Sequence, residues 1–207
     1  MFKGIQKVTL IDFPGVIAAT LFTGGCNFRC PWCHNWGLVD PAVVEKSPEI
    51  SEEEIEAYLR SRAGKIGGVC ITGGEPTLHG KYLTPFLFRC KDFGLKVKLD
   101  TNGYEPDILK SYIERGLLDY IAMDIKNTFE KYPFTVGLPY VDIDRIERSI
   151  RIIKSSRIPH HFRTTVIPAL VDPAEMRAMA EVIGEPIVLQ EFRDPEREMV
   201  EEAERRG

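Results

Sequence analysis

Three of the five cysteines fall within eight residues, Cys26-Asn27-Phe28-Arg29-Cys30-Pro31-Trp32-Cys33. Thiols gathered in one short segment point to metal ligation rather than packing. Thiolates are soft ligands, suited to iron–sulfur clusters, zinc or copper(I). A cluster closed by protein takes four such ligands, and this loop supplies three, which leaves one iron open to a substrate or cofactor. The competing arrangement is a structural zinc site, with His34 completing a Cys3His tetrahedron. Ligands on adjacent residues have poor bite geometry, so His34 reads better as a neighbour of the site or a surface group. Cys70 and Cys90 have no paired spacing and read as core thiols. His79, His160 and His161 have no partner visible in sequence.

Composition bounds the setting of this loop. The chain has 207 residues, 43% apolar and 28% charged. That is enough for one substantial core and short for two. A net charge of −4, from 27 basic and 31 acidic residues, leaves no basic footprint for nucleic acid or an anionic membrane. No apolar run reaches spanning length, and residues 1–7 lack the features of a secretory leader. A reducing cytoplasm is the expected compartment, and a disulfide framework is not expected.

The elements that must position the cysteines follow a βα alternation. Residues 8–15 read as an extended piece closed by Pro14-Gly15, either covering a sheet edge or leading into the site. Apolar runs of strand length occur at 16–22, 68–72, 95–100, 119–124, 161–167 and 186–191. Near-continuous apolar strands are what a parallel sheet buried on both faces requires. Between them, helices are expected over 51–64, 83–93, 106–116, 143–155 and 174–183, with 35–48 as a longer connection. Ser51 followed by Glu54 makes a capping box, and Pro106 suits a first helical position. One domain over 1–207 is expected: an extension at 1–15, a βα core at 16–192 and a charged tail at 193–207, helical or frayed over 196–205. The alternation alone permits either a flat doubly wound sheet or a curved one.

Polar residues recur just after these strands, where parallel α/β sheets place ligands. Gly73-Gly74-Glu75-Pro76 follows the second strand, and paired glycines let backbone approach a ligand without a Cβ between them. A plain tight turn with Glu75 exposed is the simpler reading. Asp100-Thr101-Asn102-Gly103 follows the third strand. It leads to a helix, so a hairpin does not explain its Asn-Gly. Its oxygen donors suit ribose hydroxyls, an ammonium or a hard cation. Asp124-Ile125-Lys126 follows the fourth strand, with a surface ion pair as the simple alternative. Arg163, amid apolar and β-branched neighbours, points into the sheet's concavity, where it could fork onto a carboxylate or pair with a buried acid. Gln190 and Phe192 are expected at its floor or mouth.

The spacing Cys26-x3-Cys30-x2-Cys33, with Trp32 before the last cysteine, resembles the signature of the radical S-adenosylmethionine (SAM) enzymes. The resemblance implies an open parallel (β/α)6 partial barrel spanning nearly the whole chain. It implies that Cys26, Cys30 and Cys33 hold a [4Fe–4S] cluster whose fourth iron is chelated by the SAM amino and carboxylate groups. Reductive cleavage of that SAM yields a 5′-deoxyadenosyl radical. By the same resemblance Trp32 packs near the adenine, and Gly73, Gly74 and Glu75 bind the SAM amino group. Val166, in Val166-Ile167-Pro168, belongs to an element packing against the adenine. Asp100-Thr101-Asn102-Gly103 and Asp124-Ile125-Lys126 resemble elements of the pyruvate formate-lyase activating enzyme and its relatives. There the residues matching Asp100, Thr101 and Asp124 hold a monovalent cation beside the SAM carboxylate, and the one matching Arg163 reaches that carboxylate.

Thr9 to Gly15 and Cys33-His34-Asn35 also resemble activating enzymes for glycyl-radical proteins, above all those serving anaerobic ribonucleoside-triphosphate reductase. The implied partners are a glycyl-radical enzyme and a flavodoxin- or ferredoxin-type electron donor. A histidine that the pyruvate formate-lyase activator carries after its last strands has no counterpart here. The alternatives are a radical SAM enzyme acting on a small molecule, an activator of a pyruvate formate-lyase-like enzyme, and a non-enzymatic metal-bearing module.

Overall fold

The structure, a computed structural model, describes residues 1–192, so the expected tail helix at 196–205 lies outside the described residues. Seven strands form one sheet: β1 (Phe2–Thr9), β2 (Ala18–Thr23), β3 (Gly68–Gly73), β4 (Lys96–Thr101), β5 (Tyr120–Asp124), β6 (His160–Val166) and β7 (Ile187–Glu191). They lie side by side in chain order, with β1 antiparallel to β2 and every later pair parallel. Strict chain order decides between the two architectures left open by the sequence. A doubly wound sheet reverses direction at a switch point, whereas here each crossover advances the same way. Right-handed crossovers then put all the helices on one face. The sheet does not close, because β1 and β7 are not neighbours.

The outer face carries the core. Val69, Ile71, Val97, Leu99, Ile121, Met123 and Phe162 point to it and are fully buried. They pack against α2 (Glu52–Ser61), α3 (Gly80–Asp92), α4 (Pro106–Glu114), α6 (Ile143–Ser155) and α7 (Pro173–Ile183) through residues such as Leu59, Phe86, Leu109, Ile150 and Met176. Each such side chain contributes about 1.5–3 kcal/mol on burial. Residues between them in sequence, Cys70, Lys98, Asp100 and Arg163, face the concavity by the period of two. The helices start where local chemistry starts them: Ser51 Oγ accepts from Glu54 N at 3.1 Å, and Asp172 Oδ1 accepts from Ala174 N at 2.7 Å.

Three segments differ from the sequence reading. The N-terminal strand is Phe2–Thr9, and residues 10–15 are a bent loop rather than an extended piece. As an edge strand it pairs its backbone to β2 while exposing Gln6, Lys7 and Val8, so it lacks the apolar run that marks the inner strands. Its loop folds under the sheet, where buried Phe13 meets Tyr120 at 6.1 Å and Thr20 Oγ1 donates to Asp12. Two short helices, α1 (Pro41–Lys46) and α5 (Tyr132–Thr135), lie in segments that read as connections. The cap of α1, Asp40 accepting from Ala42 N with Pro41 behind it, is legible in sequence.

Candidate active site

A cavity of about 620 Å³ opens at the carboxyl ends of the strands. Cys26, Cys30, Trp32 and Cys33 line it from one side, Gly73, Gly74 and Glu75 from β3, and Asp100, Thr101 and Asn102 from β4. Asp124 and Lys126 come from β5 and Arg163 from β6. Residues spread over 138 positions of sequence thus share one wall. Gln190 and Phe192 reach it from the last strand, as expected, and Ile11 from the N-terminal loop.

The cysteine loop is held by backbone and by a buried aromatic. Gly25 N donates to Leu38 O at 2.7 Å and Arg29 N to Val136 O at 2.8 Å. Arg29 Nη1 donates to the carbonyls of Cys26 and Phe28 at 2.5 and 2.8 Å. Phe28 is buried between Tyr104 and Tyr132, ring centres 5.3 and 6.3 Å away. Burial pushes the Cys26 thiol up to about 12, against a hydrogen bond from Phe28 N at 3.4 Å. Burial likewise raises Cys30 and Cys33, while the Lys126 ammonium acts the other way on all three. Thiols that burial holds towards the protonated form release their protons when they ligate metal.

Gly73, at φ 116°, turns the chain off β3, and Gly74 packs so tightly on Gly25 that a side chain there would strike its carbonyl. The strand-end turn and the cysteine loop are therefore fitted to each other. Glu75 lines the cavity and is not the exposed residue of a plain tight turn. It is 1% exposed, and its oxygens accept from Thr77 N (3.1 Å), Thr77 Oγ1 (2.5 Å), Thr101 Oγ1 (2.8 Å) and Asn102 N (2.6 Å). Burial raises its carboxyl and these four donors oppose the rise. Its geometry is that of a staple between the ends of β3 and β4.

Across β4, β5 and β6 runs a ladder of alternating charge. Lys98, 2% exposed, donates to Asp100 Oδ1. Arg163 Nη2 donates to Asp100 Oδ2 at 3.1 Å and its Nε to Asp124 Oδ1 at 2.6 Å. Lys126 Nζ donates to Asp124 Oδ2 at 2.8 Å. Burial alone would raise Asp124, yet Arg163 and Lys126 hold its carboxyl well below the usual carboxylate range. Asp124 raises the Arg163 guanidinium in turn, and raises Lys126 against the effect of burial. Lys98 lies beneath the cavity wall, and on the wall itself Arg163 and Lys126 balance Asp100 and Asp124. The guanidinium and ammonium donors suit an anionic ligand group beside them. The ion pairs weighed from sequence for Arg163 and for Asp124 with Lys126 do form, but on the cavity wall.

Val166 is the one expected site residue the fold does not bring to the wall. Strand alternation presents Thr165 and Ile167 there instead. Cys90 is buried in the apolar core, as expected, whereas Cys70, equally buried, faces the concavity with Lys98 Nζ 3.7 Å and Asp100 Oδ1 3.8 Å from its sulfur. His79 Nε2 lies 2.7 Å from Gly24 O, His160 Nε2 2.9 Å from Glu185, and His161 Nδ1 3.0 Å from Tyr120 Oη. The sequence reading missed Lys98 and Asn27. Lys98 stands two residues before Asp100, so the strand period could have placed both on one face. Asn27 had no signal beyond lying between two cysteines.

The wall fits an iron–sulfur cluster better than a single ion. Among the described residues no three Cys, His, Asp or Glu side chains converge on one metal position. A cluster does not need that, since each cysteine binds a different iron. Beside Cys26, the buried Asn27 Nδ2 has no partner among the described residues, a donor that a cluster sulfur would satisfy.

Comparison with known proteins agrees. Residues 20–183 match the Radical SAM superfamily, and the chain belongs to it. It is therefore an enzyme whose cofactors are a [4Fe–4S] cluster and SAM. A Methanocaldococcus jannaschii protein named as a glycyl-radical enzyme activating enzyme is 30% identical over 186 residues, 88% of this chain and 75% of its own. The pyruvate formate-lyase-activating enzyme of Clostridium pasteurianum is 28% identical over 189 residues, 86% of this chain and 74% of its own. A 7-carboxy-7-deazaguanine synthase of Thermococcus kodakarensis is 31% identical over 148 residues, 64% of this chain and 56% of its own. Among solved structures, anSMEcpe with bound AdoMet superposes with a TM-score of 0.64 at 18% identity, over 84% of this chain and 50% of that one. That likeness bears out the partial-barrel fold. The chain spans half the length of that structure.

Proposed function

We propose that this enzyme activates a partner protein by abstracting hydrogen from a glycine Cα, the partner being anaerobic ribonucleoside-triphosphate reductase, with a pyruvate formate-lyase-like enzyme next. The observation carrying this reading is that the activating enzymes align over 88% and 86% of the chain, against 64% for the deazaguanine synthase. The N-terminal segment and the Cys33-His34-Asn35 run, which resemble activators, support it.

Cys26, Cys30 and Cys33 would hold the cluster, and Trp32, with the Gly73-Gly74 turn, would bind SAM. When bound, the cluster and SAM supply one electron and a 5′-deoxyadenosyl radical that takes the hydrogen. This chain's own residues do the rest. Arg163 and Lys126, held in place by Asp100 and Asp124, present their N–H donors to the SAM carboxylate and orient it. Glu75 fixes Thr101 and Asn102 beside them. Fixed binding groups matter because a primary carbon radical attacks any C–H bond within reach, and only orientation and exclusion of water confer selectivity.

Anaerobic incubation with reductant, SAM and candidate partners tests the proposal. A glycyl-radical EPR doublet on one partner is expected. SAM cleavage that depends on a small molecule, with no doublet on any glycyl-radical partner, would overturn it in favour of the second reading. That reading, a small-molecule substrate, draws on the deazaguanine synthase likeness and on a cavity of ligand size.

A further inference from the structure

We infer that Asn102 is a positioning residue for the iron–sulfur centre: its side-chain amide donates to the Cys26 sulfur and thereby raises the cluster's reduction potential. The inference rests on the cluster and not on the identity of the substrate.

The side chain is 4% exposed and its orientation is fixed at every polar atom. Tyr104 N donates to Asn102 Oδ1 at 3.0 Å, which identifies the oxygen and turns Nδ2 towards the cysteine loop. Nδ2 carries two hydrogens. One is donated to Asn27 Oδ1 at 2.7 Å, and the nitrogen lies 3.9 Å from Cys26 Sγ, within reach of sulfur for the other. The backbone beneath is fixed too, since Asn102 N donates to the buried Glu75 carboxyl at 2.6 Å. The oxygen closes a local turn on Tyr104 N, while the nitrogen, which that turn does not use, is aimed at the Cys26 sulfur 76 positions away.

Two further donors sit at the same place. Phe28 N donates to Cys26 Sγ at 3.4 Å, and the unpartnered Asn27 Nδ2 lies on the neighbouring side chain. Two amide donors from different segments, Phe28 N and Asn102 Nδ2, thus converge on the Cys26 sulfur, while the Lys126 ammonium acts on all three thiols. Hydrogen bonds to cluster sulfurs are a lever on reduction potential. Reduction adds one negative charge to the centre, and an N–H dipole aimed at the sulfur stabilises the more negative state more strongly. Removing the donor must therefore make the cluster harder to reduce.

The test is an EPR-monitored redox titration of reconstituted wild type, Asn102→Leu and Asn102→Asp, all without SAM or partner. At the wild-type midpoint, the reduced-to-oxidised ratio of Asn102→Leu should fall about three- to tenfold, tenfold being about 59 mV for one electron. Asn102→Asp keeps the shape but presents an acceptor, and should fall further. If the leucine variant fails to hold iron, the aspartate variant carries the measurement. In deuterated buffer, one exchangeable deuteron coupled to the cluster should be lost in the variant, which a merely structural role would not remove. Potentials equal to or above wild type in cluster-loaded variants overturn the inference and leave the proposed function standing. A wild type that assembles no cluster overturns both.

Discussion

Lys98 and Leu99 are neighbours on β4 and belong to opposite worlds. Leu99 points outward into a fully buried apolar layer under the helices. Lys98 points inward and, equally hidden from water, clamps Asp100 in a ladder that ends at the cavity. One strand therefore builds stability on one face and chemistry on the other, with the two-residue period as the only partition. The outer face is non-directional and tolerates repacking. The inner face is a chain of directed ion pairs in which each member fixes the next.

If the faces divide labour this way, substitutions on each should fail differently. The largest effect is expected of Cys30→Ala. SAM cleavage should fall to background while the urea midpoint of the metal-free protein falls only slightly, because Cys30 sits at the rim of the core and the substitution removes one sulfur atom. Arg163→Met comes next. It strands Asp100 and Asp124 partly buried without their shared cation, a loss of about 3–5 kcal/mol, and SAM affinity should fall at least tenfold by calorimetry. On the outer face, Leu99→Ala should cost about 2–5 kcal/mol through the cavity it leaves. SAM affinity of the folded protein should then stay within about twofold. A large loss of affinity in this variant would break the comparison.

Acid sharpens the same contrast. Arg163 and Lys126 depress the Asp124 carboxyl in the folded state, so the stability it contributes is present above the unfolded value of about 3.9 and is lost as pH falls towards the folded one. Arg163→Met, with that depression weakened, should lose less further stability on acidification than wild type, seen as a shallower fall of stability with pH in acid-unfolding curves. Leu99→Ala should be displaced downward in stability at every pH without a change in slope. The smallest effect is expected at the periphery. Arg148 pairs with Asp107 at 2.7 Å on the exposed helical surface, and Arg148→Ala should cost only about 0–1 kcal/mol.

The outer face is also the part that the sequence makes legible. The six parallel strands and five long helices announce themselves by apolar runs and caps, and 143–155 falls where its pattern places it. β1 escapes because an edge strand needs no apolar face, and α5 because four residues carry no period. The cysteine loop is legible through ligand spacing, and the Gly-Gly, Asp100 and Asp124 segments through their place at strand ends. The partners are not. That Glu75 is consumed by Thr77, Thr101 and Asn102, that Arg163 bridges two acids, and that Asn102 reaches Cys26 all depend on how loops from different strands lean together. Sequence gives which residues share a face; it gives neither their reach nor which of two oxygens is already taken. Val166 shows the limit at one residue, since a segment can be at the site while alternation turns its first member away.

The central claim is that three protein thiolates leave one iron for SAM. EPR of the reduced, reconstituted enzyme, recorded with and without SAM isotopically labelled in its amino nitrogen and carboxylate, tests it most directly. A changed g-tensor with hyperfine coupling from both labelled groups is the expected result. An identical spectrum with no coupling from either would mean that the iron is already fully ligated, and the account would fail.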